Sequence, residues 1–141
     1  MKELITADSN ICRNYKLLTS IKGVGPITAI VMLCSTLNFT KITDHRKFAC
    51  YCGLAPFEHS SGTSVCGGCH TSSMANRDIK VQLNRRALIA IRCDPQLKAY
   101  YERKVAEGKH KFSVLNAVRA KIAARCFAVV RRGTPYVALQ I

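Results

Sequence analysis

Three short stretches hold side chains whose types and spacing suit chemistry. Glu58-His59-Ser60-Ser61-Gly62-Thr63-Ser64 sets hydroxyls beside an imidazole and a carboxylate in a Gly-containing segment. A serine nucleophile there needs its proton removed and the charge on the attacked centre stabilised, and surrounding basic helices would meet the second need for a phosphodiester. A polar loop without chemistry has the same composition. Cys66-Gly67-Gly68-Cys69-His70 has the Cys-x-x-Cys-His spacing of covalent haem attachment. Haem attachment needs export and a second axial ligand, and the sequence singles out neither. Zinc is the better metal reading, as a four-thiolate set of Cys50, Cys52, Cys66 and Cys69. It competes with a simpler one, because Cys50 and Cys52 stand close together and fit the end of a helix. The third stretch is Ile21-Lys22-Gly23-Val24-Gly25-Pro26-Ile27-Thr28-Ala29, with the apolar-x-Gly-apolar-Gly-x-x-x-Ala form of a helix-hairpin-helix turn. Its glycines permit a tight turn that exposes N–H groups at the start of the next helix to a phosphate, with Lys22 adjacent. A plain Gly-containing helix connection is the alternative.

The charge balance favours phosphate. The chain has 141 residues with 22 Lys+Arg against 8 Asp+Glu, a formal charge of +14. Charge of this density draws polyanions by counterion release, so nucleic acid is the expected partner. A membrane surface is the weaker candidate, because the cations are spread along the chain and no single amphipathic helix gathers them. No apolar run reaches the roughly 18 to 20 residues of a membrane span, and the first residues lack the regions of a signal peptide, so a cytoplasmic location is expected. At 48% hydrophobic and 21% charged residues the composition is that of one folded domain or part of one. Among the 8 cysteines, Cys34, Cys93 and Cys126 sit in apolar stretches and read as reduced core thiols.

Helical signals dominate, so the expected fold is all-α, with the helix-hairpin-helix-like turn and a Gly/Ser-rich loop or small hairpin inserted. Residues 1 to 17, with apolar Leu4, Ile5 and Ile11, read as the end of a helix or linker arriving from upstream. Pro26 opens a buried helix carrying Ile27, Ala29, Ile30, Val31, Leu33 and Cys34. A short basic helix lies between Asn38 and Cys52 with Asp44 near its start. Gly53 to Ser73 turns polar and Gly-rich, which predicts the loop or hairpin. Three helices follow: about Ser73 to Cys93, Pro95 to Glu107 ending at Gly108, and Ser113 to Arg132 ending at Gly133. The first puts Ile79, Leu83, Ala87 and Ile91 on one face and gathers Arg77, Arg85 and Arg92 within about 80° of one another. The last lines up Leu115, Val118, Ile122, Cys126 and Val129, with Lys121, Arg125 and Arg132 on another face.

The order of these motifs resembles the C-terminal domain of one insertion-sequence transposase family, IS-one-ten (IS-116/IS-902-like), also described as bridge-RNA-guided serine transposases. The resemblance rests on the blocks Leu18 to Ala29, Arg46 to Pro56, Ser61-Gly62, Leu97 to Gly108 and Arg131 to Tyr136, in that order. It spans about Leu18 to Val137, leaving 138–141 as a tail. It implies a helical transposase domain in which Ser61, or Ser60 if the register shifts by one, attacks a DNA phosphate and forms a phosphoserine link. It also implies contacts to DNA or guide RNA from Lys22, Gly23, Gly25, Arg77, Lys80, Arg85, Arg86, Arg92, Lys121 and Arg125, and a homo-oligomer on DNA. No cofactor is expected in this chain. The family's magnesium belongs to an N-terminal RNase-H-like domain with clustered carboxylates, for which this chain has no room. Its own acidic residues are spread evenly, from Glu3 to Glu107. A second departure follows the nucleophile, where relatives read Arg-Gly-Lys-Thr-Arg and this chain reads Cys66 to His70. That exchange removes three cations and suggests a decaying copy as readily as a new metal site. The chain therefore reads as a fragment or truncated product, with a non-catalytic helical DNA-binding module as the competing class.

Overall fold

Several helix starts in this chain lie where a side chain can take over the free N–H groups. The computed structural model describes residue 3 and residues 7–54, 56–60, 66–71 and 77–138, with 56–60 and 66–71 described through their backbone. Asp8 is extended and its carboxylate accepts from Asn10 N at 2.8 Å and Ile11 N at 3.3 Å, which starts α1 at Ser9–Thr19. A capping aspartate at that position frees the first turn from unsatisfied N–H groups. Leu4 and Ile5 lie outside the described residues. Helix α2 spans Pro26–Ser35 behind the extended Gly25, and α3 spans His45–Tyr51 with Asp44 accepting from Arg46 N at 3.1 Å.

Strands β1 (Pro56–Ser60) and β2 (Cys66–Thr71) pair antiparallel, Phe57 opposite His70 and Glu58 opposite Cys69, with an irregularity between Glu58 and Ser60. Helix α4 covers Arg77–Cys93, α5 Pro95–Ala106 and α6 Lys111–Arg132. Buried Asp94 alone separates α4 from α5. Gly133 ends α6 in the left-handed conformation at φ 71°, where glycine avoids the Cβ penalty. Among the described residues there are thus six helices and a two-stranded ribbon, and none of the helices is long and apolar enough to cross a membrane.

Helix α6 is the central element. It packs against α1, α3, α4 and α5, because one face carries Val118, Ile122, Cys126 and Val129 at helical spacing, all buried. Those side chains meet Leu83 and Ala87 of α4, Leu18 of α1, Phe48 of α3 and Leu97 of α5 in one core. Phe127 packs edge-on to Phe39 at 4.9 Å and against Phe48 at 5.4 Å. Seating Phe39 requires an unusual backbone: Leu37, Asn38 and Phe39 have φ of 48°, 55° and 61°. Each costs about 1–2 kcal/mol in a residue with a Cβ. The conformation is held by Thr36 Oγ1, which accepts from Phe39 N at 2.9 Å, and by Asn14 Nδ2 donating to Asn38 Oδ1 at 2.8 Å. The helix expected between Asn38 and Cys52, with Asp44 near its start, follows as His45–Tyr51.

Two expectations are corrected. Cys34 and Cys93 are exposed, and only Cys126 of that trio is a core thiol. Ile27, expected inside, is 59% exposed, because α2 turns Thr28, Ala29, Met32 and Leu33 to the core instead.

Candidate nucleic-acid interface

The turn before α2 carries the first of the expected phosphate contacts, Lys22, Gly23 and Gly25. Val24 N donates to Ile21 O at 3.0 Å, which folds the chain back on itself after α1. Gly23 sits at φ +90°, and a Cβ there would lie 2.9 Å from the Cβ of Ala90 in α4. Its first role is therefore close packing of the turn onto α4. Gly25 leads into α2 with no side chain capping it, and the first backbone bond of that helix is Ala29 N to Gly25 O at 3.0 Å. The N–H groups ahead of Ala29 thus stand at the positive end of the helix dipole.

Arg86 of α4 reaches this point. Its Nε donates to Thr28 Oγ1 at 2.7 Å, and its guanidinium lies 3.0–3.1 Å from where a Gly25 Cβ would be. Lys22 is exposed in the same turn. One guanidinium therefore lies at a helix start, with Gly25 leaving the space it fills.

The remaining expected contacts divide by setting. Arg77, Arg85 and Arg92 are exposed along α4, and Lys80 is half-buried. Lys121 is exposed on α6 with its Nζ 4.5 Å from the centre of the Tyr100 ring. Arg125 is already committed. Its Nη1 donates to Asp94 Oδ2 at 2.7 Å, its Nη2 to Gln96 Oε1 at 2.7 Å, and its guanidinium lies 5.0 Å from the centre of the Tyr136 ring. Burial pushes the Asp94 carboxyl up, but the Arg125 bond and charge and the amides of Gln96 and Leu97 more than offset it, so the carboxyl lies below its ordinary value.

Ser60 closes β1, opposite Cys66 in the ribbon. Ser61 lies outside the described residues. Of the cysteines considered for zinc, Cys66 and Cys69 belong to β2 and Cys50 is half-buried near the end of α3. Cys52 is 0% exposed in the apolar core, and burial pushes its thiol up to about 12. Magnesium does not fit the acidic residues placed here. Asp8 and Asp44 cap helices, Asp94 is bound to Arg125, Glu102 pairs with Lys98 and Glu107 with Lys104. Among the described residues no three His, Cys, Asp or Glu side chains gather.

Sequence reasoning missed Arg119. It is 8% exposed, donates to Asn84 Oδ1 at 2.6 Å and Asn116 Oδ1 at 3.4 Å, and its Nε has no partner. Asn116 Nδ2 in turn donates to Leu54 O at 2.7 Å, just ahead of β1. The signal was available: Arg119 stands four residues after Leu115 and three before Ile122, on the face that should be apolar.

The chain matches the profile described as Transposase IS116/IS110/IS902 family over residues 15–102. It is similar to the uncharacterized 43.6 kDa protein of insertion element IS110 from Streptomyces coelicolor, 38% identical over 84% of this chain and 29% of the relative. The uncharacterized 42 kDa protein of insertion element IS900 from Mycobacterium paratuberculosis is 30% identical over 78% of this chain and 28% of its own length. A pilin gene-inverting protein of Moraxella bovis is 24% identical over 95% of this chain and 42% of its own. The chain thus spans less than half the length of these relatives. A family match over most of the chain, with the Gly23–Gly25 turn inside it, leads to one conclusion: this protein belongs to the IS116/IS110/IS902 transposase family.

Proposed function

We propose that this chain is the part of an insertion-sequence transposase that binds DNA and supplies the serine nucleophile for strand exchange. The observation that supports the reading is the turn at Gly23–Gly25, where the Arg86 guanidinium lies against the uncapped start of α2 and Lys22 is exposed in the same turn. A phosphodiester there gains the guanidinium and the helix dipole together. Arg77, Arg85 and Arg92 extend the positive surface along α4, and Lys80 adds to it; Lys121 stands apart on α6, beside Tyr100. Arg125 acts through Asp94 and Tyr136 rather than as a free contact.

Ser61, with Ser60 as the neighbour one register away, is the nucleophile. Its Oγ forms a bond to phosphorus as the bond from phosphorus to the deoxyribose oxygen breaks, and the leaving oxygen takes up a proton. The hydroxyl of another strand then reverses the step and releases the serine. One phosphoester replaces another each time, so no outside energy source is needed. A magnesium ion held by a further domain of a longer protein would supply Lewis-acid charge, and a guide RNA and further copies of the chain would assemble on the DNA. The setting is the cytoplasm, where cellular DNA and its guide meet the protein.

Covalent capture on a nicked duplex tests this in the longer protein. Wild type should yield an adduct that survives denaturing electrophoresis, and Ser61→Ala should lose the adduct while binding the duplex with unchanged affinity. Adduct formation by both Ser61→Ala and Ser60→Ala would refute the nucleophile. Unchanged duplex binding after Lys22→Ala and Arg86→Ala together would refute the turn as a phosphate contact.

A further inference from the structure

The geometry points to a second nucleic-acid site along α5 and α6, a groove for an unpaired strand rather than a duplex. It rests on the reading of this chain as a nucleic-acid-binding domain and assigns a place to one part of its ligand. Two clefts lie end to end there. The first, of about 520 Å³, opens between α5 and α6 around Tyr100, Arg103 and Lys121. The second, of about 330 Å³, continues past Arg125 to Arg132 and Tyr136. Gln96 and Arg125 line both, and their 2.7 Å hydrogen bond forms the sill between them.

Aromatic rings and cations alternate along this line. Tyr100 has Lys121 at 4.5 Å and Arg103 at 5.7 Å from its ring centre, and Tyr136 has Arg125 at 5.0 Å. Both tyrosines are half-buried, each with part of its surface in a cleft. Ala124 and Ala128 keep the α6 side of the groove low. From Lys121 to Arg132 the helix advances about 16 Å, the length of a few nucleotides.

Recessed rings decide between the two forms of nucleic acid. In a duplex the base faces are stacked on one another and only edges and phosphates are offered, so tyrosines inside a cleft add nothing. An unpaired strand can turn a base onto each ring while its phosphates meet Lys121, Arg103 and Arg132. The arrangement is also braced. Asp94 holds Arg125, and Tyr136 is pinned to α1 by its N–H donating to Ser20 Oγ at 2.9 Å. Oligothymidylate and oligouridylate share the chemistry the groove needs, and a preference between them reports on the 2′-hydroxyl.

Fluorescence anisotropy on this chain tests the site, with labelled oligothymidylate, oligouridylate and a mixed-sequence duplex as probes. Tyr100→Ala should weaken binding of at least one single strand about ten-fold, as loss of one stacked base does, and leave duplex affinity unchanged. Tyr100→Phe should bind as wild type does. Lys121→Glu changes only an exposed side chain, so it tests the groove without touching the core, and it should weaken single-strand binding more than duplex binding. Single-strand affinity unmoved in both Tyr100→Ala and Lys121→Glu overturns the groove. So does equal competition by polyglutamate, which would mark a surface that reads charge alone. If wild type binds no nucleic acid at all, the functional reading falls as well. Duplex binding that persists while the groove variants show no effect overturns the groove alone.

Discussion

Replacing Asp94 with Asn keeps the shape of the side chain and removes its charge, which isolates the ion pair on which the α5–α6 junction turns. Asp94 is 3% exposed; Oδ1 accepts from Gln96 N at 2.9 Å and Leu97 N at 3.4 Å, and Oδ2 accepts from Arg125 Nη1 at 2.7 Å. In Asp94→Asn the amide oxygen can still cap α5, but Arg125 faces a neutral partner that has lost an acceptor. Removing one member of a buried pair costs about 3–5 kcal/mol. The Arg125 side chain retains 16% exposure, so the low end applies and Asp94→Asn should lose about 3 kcal/mol. Asp94→Ala also loses the cap, worth about 1 kcal/mol, and should lose about 4 kcal/mol.

The pH dependence follows from the direction of the carboxyl's shift. A carboxyl depressed in the folded state contributes its full stability above the ordinary aspartate value of about 4 and loses it as pH falls through the folded value. The gap between wild type and Asp94→Asn should therefore be widest near neutral pH and narrow steadily below about pH 4. Urea titrations followed by far-ultraviolet circular dichroism, at a series of pH values, measure both quantities. A loss under about 1 kcal/mol at neutral pH, the usual worth of a surface pair, would refute the reasoning. So would a gap that stays constant into acid.

Other outcomes follow from single contacts. Gly23→Ala places a Cβ 2.9 Å from that of Ala90 at φ +90°. Strain at a positive φ together with overpacking should cost about 2–4 kcal/mol, read as a lowered thermal midpoint. Gly25→Ala meets only the movable Arg86 guanidinium at 3.0–3.1 Å; it should weaken duplex binding with a stability loss under about 1 kcal/mol. Arg119→Met replaces a buried cation whose described acceptors are two neutral carboxamides, and desolvation already lowers the pKa of that guanidinium. Stability in urea should change by less than about 1 kcal/mol or rise. Thiol labelling of the native protein should modify Cys34 and Cys93 quickly. Cys52 and Cys126, whose thiols burial pushes up to about 12, should react only after unfolding.

Local devices could be read from the chain alone. The cap at Asp44, the stops at Gly108 and Gly133, and the apolar stripe Leu115, Val118, Ile122, Cys126 and Val129 act within a turn or two of helix, so neighbouring letters determine them. Both glycines adopt positive φ, at 86° and 71°, and all five stripe residues are buried. The order of motifs likewise pointed to the transposase family that the family match shows. That the chain turns at Gly23 before a helix opening at Pro26 was legible too, though not that Gly23 serves to seat α4.

Tertiary structure decided which faces are covered and which charges are spent. Cys34 and Cys93 sit in apolar stretches yet are exposed, because burial depends on the helix that arrives alongside and not on the letters adjacent in sequence. Arg86 meets Thr28 across 58 residues and Arg125 meets Asp94 across 31. No periodicity encodes such distances. The pairing arises only once the core has fixed how the helices pack, and the same packing sets one arginine at a helix start and the other in an internal ion pair.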